Sequence, residues 1–342
     1  MARERRDRLT MLITTAAILG GAACGSGGGA VANPDAGQDG GADKSPADVV
    51  DAVDALDSVD TPEVMLLIPG GCTMPNPSAA GLPNPTSYDV AISGTVFDRM
   101  TGLMWQRSAG GSTYSQTMAA AACKASKTGG YSDWRVPTVL ELVSIVDFTA
   151  TSPSIDTSVF NGTSASLYWT STLLAGHPSN AWYVNFGQGI TEFVDVTDPN
   201  LVRCVRDGLK MPNDCYAAGA RFKVADGMVV DAATGLTWQQ TVAADPTTWK
   251  AAKANCDALG GGFRLPSLKE LQSIVDYATV YPGPGPTIDP TAFPGTPALG
   301  FWTSSSVSGS ASMMWTVKFD NGDTSGNTIL GATDLKLARC VR

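Results

Sequence analysis

Seven cysteines are the residues of this chain whose type and spacing bear most directly on chemistry. Structural zinc sites use close pairs such as Cys-x-x-Cys together with histidine. The sequence has no such pair, and its only histidine is His177. An even set of well-separated cysteines in an exported chain instead favours disulfide bonds. Cys24 is set aside because it lies in a candidate lipid-attachment motif at the N-terminus. The other six cysteines form two sets of three: Cys72, Cys123 and Cys204, then Cys215, Cys256 and Cys340.

The chain repeats itself at an offset of about 133 residues, so most of its motifs occur twice. The repeated pairs are 98–106 and 231–239, 134–138 and 263–267, 168–171 and 301–304, and 203–206 and 339–342. A period of this length exceeds that of solenoid repeats, and each copy is therefore expected to be a whole domain with its own core. We place the first copy at 64–207 and the second at 208–342.

The repeat restricts how the cysteines can pair. Six cysteines allow 15 pairings, but the same internal bond in each copy favours Cys123–Cys204 and Cys256–Cys340. Cys72 and Cys215 each precede their copy in a leader rich in Pro, Gly and Asn, and are left to pair with each other. Each internal bond would close a loop of roughly 80 residues, worth about 4 to 5 kcal/mol in the chain-entropy model.

A repeated charged pair is the next candidate for a site. Arg135 with Glu141 returns as Arg264 with Glu270. Each Glu follows a Thr or Ser at the spacing of a capping box, in which hydroxyl and carboxylate bind the first free amides of a helix. This spacing favours a structural pair over a catalytic one, and we predict no catalytic residue.

Two features of a single copy could also carry chemistry. The segment 320–323, Asp-Asn-Gly-Asp, clusters oxygen ligands of the kind that calcium prefers. The first copy has Gly-Gln-Gly at 187–189, and Asn-Gly is first of all a hairpin signal. His177 lies in a loop, and the second copy has no histidine there. We therefore predict no metal site and no cofactor.

The N-terminus predicts export. Residues 1–23 combine four arginines with an apolar stretch too short to span a bilayer, as a signal peptide does. Gly21-Ala22-Ala23-Cys24 resembles a bacterial lipobox, which implies a lipid on Cys24 and, because Gly25 follows, a place in the outer membrane or at the cell surface. An ordinary secretory signal is the alternative. In the lipoprotein, the membrane would be contacted through the lipid on Cys24 only.

Residues 24–63 predict a disordered acidic tether. They lack aromatic residues and carry a net charge of -8, which extends the chain and prevents a core. The whole chain has a net charge of -9 and residues 1–23 contribute +2, which leaves -3 for residues 64–342. Nucleic acids bind concentrated basic surfaces, so this nearly neutral part excludes them as partners. We expect a monomer.

The elements that must position these residues follow one order in both copies. A strand pair around Val96 and Trp105 precedes a helix over 113–125, and the second copy predicts a helix over 248–259. A second helix begins at each capping box. Its apolar face is formed by Leu142, Ile145 and Val146, or by Leu271, Ile274 and Val275. Short strands follow, so the fold class is α+β, with the first helix bonded to the final strand.

All eight tryptophans lie within the two copies. Three pairs align across the repeat, and we match Trp134 with Phe263 and Trp249 with Tyr114. Exposed tryptophans could stack on sugar rings, but aromatic residues kept at fixed positions of a fold used twice favour a core. The loops 149–165 and 279–299 differ most between the copies and are where specificity would lie.

The ordered motifs resemble the Lcl C-terminal domain family. They are Thr-Gly-Leu-x-Trp-Gln, a helix with Cys, Arg-(Val/Leu)-Pro-(Thr/Ser)-x-x-Glu-Leu, (Tyr/Phe)-Trp-Thr-Ser and Arg-Cys-Val-Arg, and they cover 93–206 and 226–342. The resemblance implies two tandem C-type-lectin-like domains, each with two helices packed on short, mostly antiparallel strands. It further implies surface attachment and binding of a glycan or matrix. A collagen-like tract is missing from this sequence, so trimerisation through one is not implied.

Three functions follow as hypotheses. The first is a non-enzymatic envelope lipoprotein that binds a glycan or a surface protein. The second is a relative of the formylglycine-generating oxidases, which share the lectin-like layout but need a free thiol. The third is a structural envelope protein without a soluble ligand.

Overall fold

The computed structural model describes residues 86–208, 221–243, 245–283, 285–310, 312–324, 328–329 and 334–342. All described residues belong to one unit, which lies within Pro62–Arg342. The predictions for the signal peptide, the tether, the lipid on Cys24 and a Cys72–Cys215 bond lie outside the described residues.

The first copy forms two antiparallel sheets and two helices. Its elements are β1 (Tyr88–Asp89), β2 (Thr95–Asp98), β3 (Leu103–Gln106), α1 (Gln116–Ala125), α2 (Val139–Ser144), β4 (Leu167–Leu174), β5 (His177–Asn185), β6 (Ile190–Asp195) and β7 (Val205–Asp207). One sheet has the order β1-β2-β3-β7, and the other β4-β5-β6. The closing strand β7 thus returns to pair with the first hairpin.

The second copy repeats this plan. Its elements are β8 (Phe222–Ala225), β9 (Met228–Asp231), β10 (Thr237–Gln239), α3 (Trp249–Ala258), α4 (Leu268–Ser273), β11 (Gly300–Ser306), β12 (Met313–Lys318) and β13 (Thr328–Ile329). Its sheets have the orders β10-β9-β8 and β11-β12-β13. The last segment pairs through isolated bridges from Val341 to Trp238 and Arg264. Every described sheet lies within one copy, and the α+β class is confirmed.

Helix boundaries show which local signals decided the fold. Both capping boxes form: Thr138 accepts from the Glu141 amide, and Ser267 does the same for Glu270. The first helix was predicted from residue 113 but begins at Gln116, because the side chain of Ser115 caps it. α2 and α4 are only six residues long. The apolar residues at 145–146 and 274–275 therefore follow the helices, where they are still buried.

Two disulfide bonds join helix to closing segment within the described residues. Cys123 in α1 bonds Cys204 just before β7, and Cys256 in α3 bonds Cys340. These are the two internal pairs that the repeat favoured. A small apolar cluster surrounds each bond, one formed wholly by the first copy and one wholly by the second.

The largest apolar cluster contains residues of both copies. It holds Trp105 and Trp182 together with Trp238 and Trp315, and helices α2 and α4 pack against each other beside it. Each copy therefore has a small core of its own around its disulfide, while the main core is shared. Helices α2 and α4 each pack on a sheet of their own copy and also against each other, which joins the two apolar layers into one core.

Candidate binding site

The repeated Arg–Glu pair is a structural element of the second helix in each copy. Arg135 donates to both carboxylate oxygens of Glu141, Nη1 to Oε2 at 2.8 Å and Nη2 to Oε1 at 2.7 Å. The same Oε2 accepts from the Thr138 amide at 2.7 Å. Arg264 binds Glu270 in the same two-pronged way at 2.8 Å. Because the carboxylates are already committed to the arginine and the helix cap, the geometry agrees with the structural interpretation.

A surface groove of about 580 Å³ lies beside this pair in the first copy. Trp134, Val136 and Ala120 form its apolar part, and Arg135 and Glu141 its charged edge. The remaining lining residues are polar and come from α1, the helix cap and β4: Gln116, Lys124, Thr138 and Ser171. The groove combines a flat apolar floor with hydrogen-bonding groups on its edge, which suits a polar organic ligand.

The second copy carries different side chains on the matching surface. Gln116 Nε2 donates to the Thr170 carbonyl at 3.3 Å, and Trp249 Nε1 donates to the equivalent Thr303 carbonyl at 2.7 Å. Trp249 thus matches Gln116, and our alignment of Trp249 with Tyr114 was wrong. The error arose because Trp249 and Tyr114 are both aromatic, and Tyr114 lies only two residues before Gln116, the true counterpart of Trp249. Trp249 is half-buried, whereas the other seven tryptophans are buried, as a core role predicts.

The two copies meet around an approximate twofold axis. Trp182 packs edge-on against Tyr277 at 4.9 Å between ring centroids, and the matching pair Trp315 and Phe148 packs at 5.7 Å. On the axis itself, Thr191 and its own repeat counterpart Thr324 share a hydrogen bond of 2.9 Å between their Oγ1 atoms. The copies therefore contact each other through the same surface, as the subunits of a symmetric homodimer do.

Lys269 breaks this symmetry from within the interface. Its side chain belongs to α4, is 4% exposed, and donates from Nζ to the Ser144 carbonyl of the first copy at 2.7 Å. The Phe148 ring lies 5.9 Å from Nζ, and Asp98 and Asp147 face it at longer range. Burial lowers the pKa of this ammonium to about 7, which the two carboxylates oppose. The matching residue in the first copy is Leu140, so the position does not require a charge.

Lys269→Met is expected to stabilise the protein at pH 6 by about 1 to 2 kcal/mol, because an apolar side chain of similar shape replaces a buried cation. In the wild type, the unfolded lysine keeps its proton above pH 7 while the folded one releases it. The unfolded state then binds more protons, so the free energy of unfolding rises with pH from about 7 upwards. Urea denaturation at pH 6, 8 and 9.5 measures both effects.

The variant is expected to lack this part of the rise with pH. Lys253→Met serves as the control, since Lys253 is exposed and pairs only with Asp257 on the same helix. Parallel pH profiles for wild type and Lys269→Met would contradict a deprotonated, buried Lys269.

The remaining candidates from the sequence do not come together. Within the segment 320–323, Asn321 Nδ2 donates to Asp323 Oδ2 at 2.7 Å, and Lys318 Nζ lies 3.2 Å from Asp323 Oδ1. These groups occupy the carboxylate that calcium would need. His177 was predicted in a loop, but it is the exposed first residue of β5. Among the described residues, no three His, Cys, Asp or Glu side chains cluster as metal ligands would.

Two buried arginines were missed by sequence reasoning. Arg203 is fully buried and donates to the carbonyls of Gln106 and Arg107 and to Thr163 Oγ1. Arg339 makes the equivalent bonds in the second copy. Burial lowers the pKa of Arg203 to about 10 and that of Arg339 to about 9. The duplicated Arg-Cys-Val-Arg motif was the signal, and the role is to tie the closing segment to the first hairpin.

Comparison with known families agrees with the geometry. The model of the Lcl C-terminal domain matches residues 94–206 and 227–342, which are the two copies that the sheets and disulfides define. Comparison with curated proteins finds no match. None of the helices in the described segments has the length and apolar character needed to cross a membrane. With two matches that together span more than half of its length, the chain belongs to the Lcl C-terminal domain family and contains that domain twice.

Proposed function

We propose that the protein is a non-enzymatic binding protein of the outer membrane or cell surface, anchored by a lipid on Cys24. Its two modules, which we take to be C-type-lectin-like, bind a glycan or a surface protein. The observation that carries the proposal is that the two copies share their internal framework but differ in the side chains on one surface. Both copies keep the disulfide, the capping box and the Arg–Glu pair, yet the second copy carries different side chains on the helix face that lines the groove in the first.

The contrast lies on one helix face. Positions that hold Gln116, Ala120 and Lys124 on α1 hold Trp249, Lys253 and Asp257 on α3. A catalytic site would require its reacting groups to come together in at least one copy. The Arg and Glu that both copies share already bind each other, and the Glu also binds the first amide of the helix cap. Variation of surface residues on a rigid framework is typical of recognition.

The location follows from the disulfides and the N-terminal sequence. Disulfide bonds form and persist in oxidising compartments, which fits an exported protein. The signal peptide 1–23 would direct export, and the tether 24–63 would hold the modules away from the membrane, which the chain contacts only through its lipid. Nucleic acid is excluded by the near-neutral folded part.

A monomer is part of the same proposal. The apolar surface around Trp182 and Trp315 is already covered within one chain, because the copies pack on each other. A second chain is therefore not needed to bury it.

Adhesion assays test this function. Cells that produce the full chain are expected to adhere to glycan- or matrix-coated surfaces at least tenfold better than cells without it. Cys24→Ala is expected to remove the lipid anchor and abolish the difference, and mass spectrometry of the N-terminal peptide checks the lipid. Equal adhesion with and without the chain, together with no binding on a glycan array, would leave a structural envelope role.

Thiol titration of the folded full chain separates binding from oxidase chemistry. The oxidase alternative needs at least one reactive free thiol. Both cysteine pairs that the structure describes are bonded. With Cys24 lipidated and Cys72 bonded to Cys215, as the sequence predicts, we expect zero free thiols. Two or more free thiols would favour the oxidase instead.

A further inference from the structure

The twofold arrangement of the copies creates two matching clefts where they meet, one on each side of the axis. Each cleft lies between the loop that follows the second helix of one copy and the hairpin turn of the other copy. The described residues of these loops are 149–154, 278–283 and 285–287, and the turns follow β4 and β11. These loops lie largely within 149–165 and 279–299, the segments that differ most between the copies.

The cleft on one side is covered by the loop of the second copy. Tyr281 N donates to the Ala175 carbonyl at 3.2 Å, and the Tyr281 ring lies 6.0 Å from the ring of Phe193. Val280 lies so close to the β4–β5 turn that a Cβ atom on Gly176 would come within 2.6 Å of its Cγ1. The bulky side chains at 280 and 281 therefore cross from their own copy onto the other.

The loop of the first copy does not cross in this way. Thr151 and Ser152 occupy the matching positions, and their side chains are small. Ser152 N and Thr151 Oγ1 each donate to the Gly187 carbonyl at 3.1 Å, which holds this loop against its own β5–β6 turn. The cleft on this side stays open, with a volume of about 570 Å³.

The open cleft is built by both copies and is lined by hydroxyl groups. The first copy contributes Phe148 and Thr149, and the second contributes Ser267, the segment 304–306 and the turn 307–310. Ser308 Oγ donates to the Thr149 carbonyl at 2.9 Å and connects the two walls. Five serines belong to the segment and turn of the second copy: Ser304, Ser305, Ser306, Ser308 and Ser310.

The lining specifies the chemistry of a ligand. Ionisable side chains are missing from the residues that form the cleft, so it offers no counter-charge to a sulfate, a carboxylate or an amine. Serine and threonine hydroxyls both donate and accept, which matches the hydroxyls of a sugar. A volume of this size is typical of small-molecule sites.

We propose that the open inter-copy cleft binds an uncharged glycan segment. The proposal rests on the proposed function, and it places the neutral-glycan site in this cleft rather than in the groove beside Arg135 and Glu141. A single copy cannot form the cleft, because Phe148 and Thr149 lie on one copy and the serines on the other.

Two matched variants of the full chain test the site. Ser306→Trp fills the open cleft from the exposed end of β11. Leu173→Trp places the same ring at the matching position of β4, on the covered side, where Leu173 is 43% exposed. On an array of neutral, sulfated and uronic-acid glycans, the wild type is expected to bind neutral glycans. Ser306→Trp should weaken that binding at least tenfold, and Leu173→Trp should bind as the wild type does.

A second pair guards against a folding defect at position 306. Thr149→Trp fills the cleft from its other wall, and Ala278→Trp is the matching control; both native residues are exposed. Near-ultraviolet circular dichroism checks that each variant is folded. Wild-type binding that survives in folded Ser306→Trp and Thr149→Trp would overturn the cleft but not the proposed function. A preference for sulfated or acidic glycans would also overturn it. Binding to no glycan would overturn both the assignment of the cleft and glycan recognition. The adhesion assay described above would then decide whether the chain binds a surface protein.

Discussion

Replacement of Cys123 and Cys204 together by alanine is expected to lower the free energy of unfolding by about 4 to 5 kcal/mol. The bond joins residues 81 positions apart, so its removal releases a long loop in the unfolded chain. Both sulfurs lie in a buried cluster, and alanine keeps that cluster apolar without burying a hydroxyl. Urea denaturation followed by tryptophan fluorescence measures the loss.

The second copy provides the matched control for this experiment. Cys256→Ala with Cys340→Ala opens a loop with a sequence separation of 84, and a loss of similar size is expected. Because the main apolar cluster is shared, we expect each double variant to unfold in one transition that includes both copies. A loss below about 1 kcal/mol would show that the unfolded chain is already restricted at these positions.

Trp182→Ala is expected to cost about 3 to 5 kcal/mol, as large-to-small substitutions of buried tryptophans do. Trp182 is 1% exposed, and its ring packs edge-on against Phe193 of its own copy and Tyr277 of the other. The substitution therefore removes packing within the first copy and across the interface at once. Differential scanning calorimetry measures the loss and also reports whether the copies unfold together.

Trp315→Ala tests the symmetric position. Trp315 packs against Phe148 across the interface, so the same loss and the same single transition are expected. Trp249→Ala is the contrasting control, because Trp249 is half-buried on the outer face of the second copy and should cost less. Two separate thermal transitions, with only one displaced by each substitution, would contradict a shared core.

Local signals in the sequence were sufficient wherever a few neighbouring residues decide the conformation. Thr138 with Glu141 and Ser267 with Glu270 predicted where the second helices begin, because the cap depends on groups only three residues apart. The internal disulfide pairs followed from duplication, since the same fold must place the same cysteines together. The helix ends were less predictable: α2 ends at Ser144, and Ile145 is buried without being helical.

Contacts between the copies left little trace in the sequence. Lys269 differs from Leu140 by a charge that normally indicates an exposed position, yet its Nζ reaches a carbonyl of the other copy. Arg203 and Arg339 are buried cations, and two of the three hydrogen bonds described for each go to backbone carbonyls, which have no residue-type signature. The alignment of Trp249 with Tyr114 was wrong because it matched two aromatic side chains rather than two equivalent backbone positions.

The sequence by itself determined the unit of this protein: an α+β domain with one helix-to-closing-segment disulfide, present twice and belonging to the Lcl C-terminal domain family. These properties depend on periodicity, capping and repetition, which are written along the chain. Only the tertiary structure decided that the copies share their main core around a twofold axis and leave one cleft open. That outcome depends on how two apolar surfaces and two loops fit in space. The side-chain volumes at positions such as 152 and 281 decide which cleft is covered only after the two surfaces have packed together.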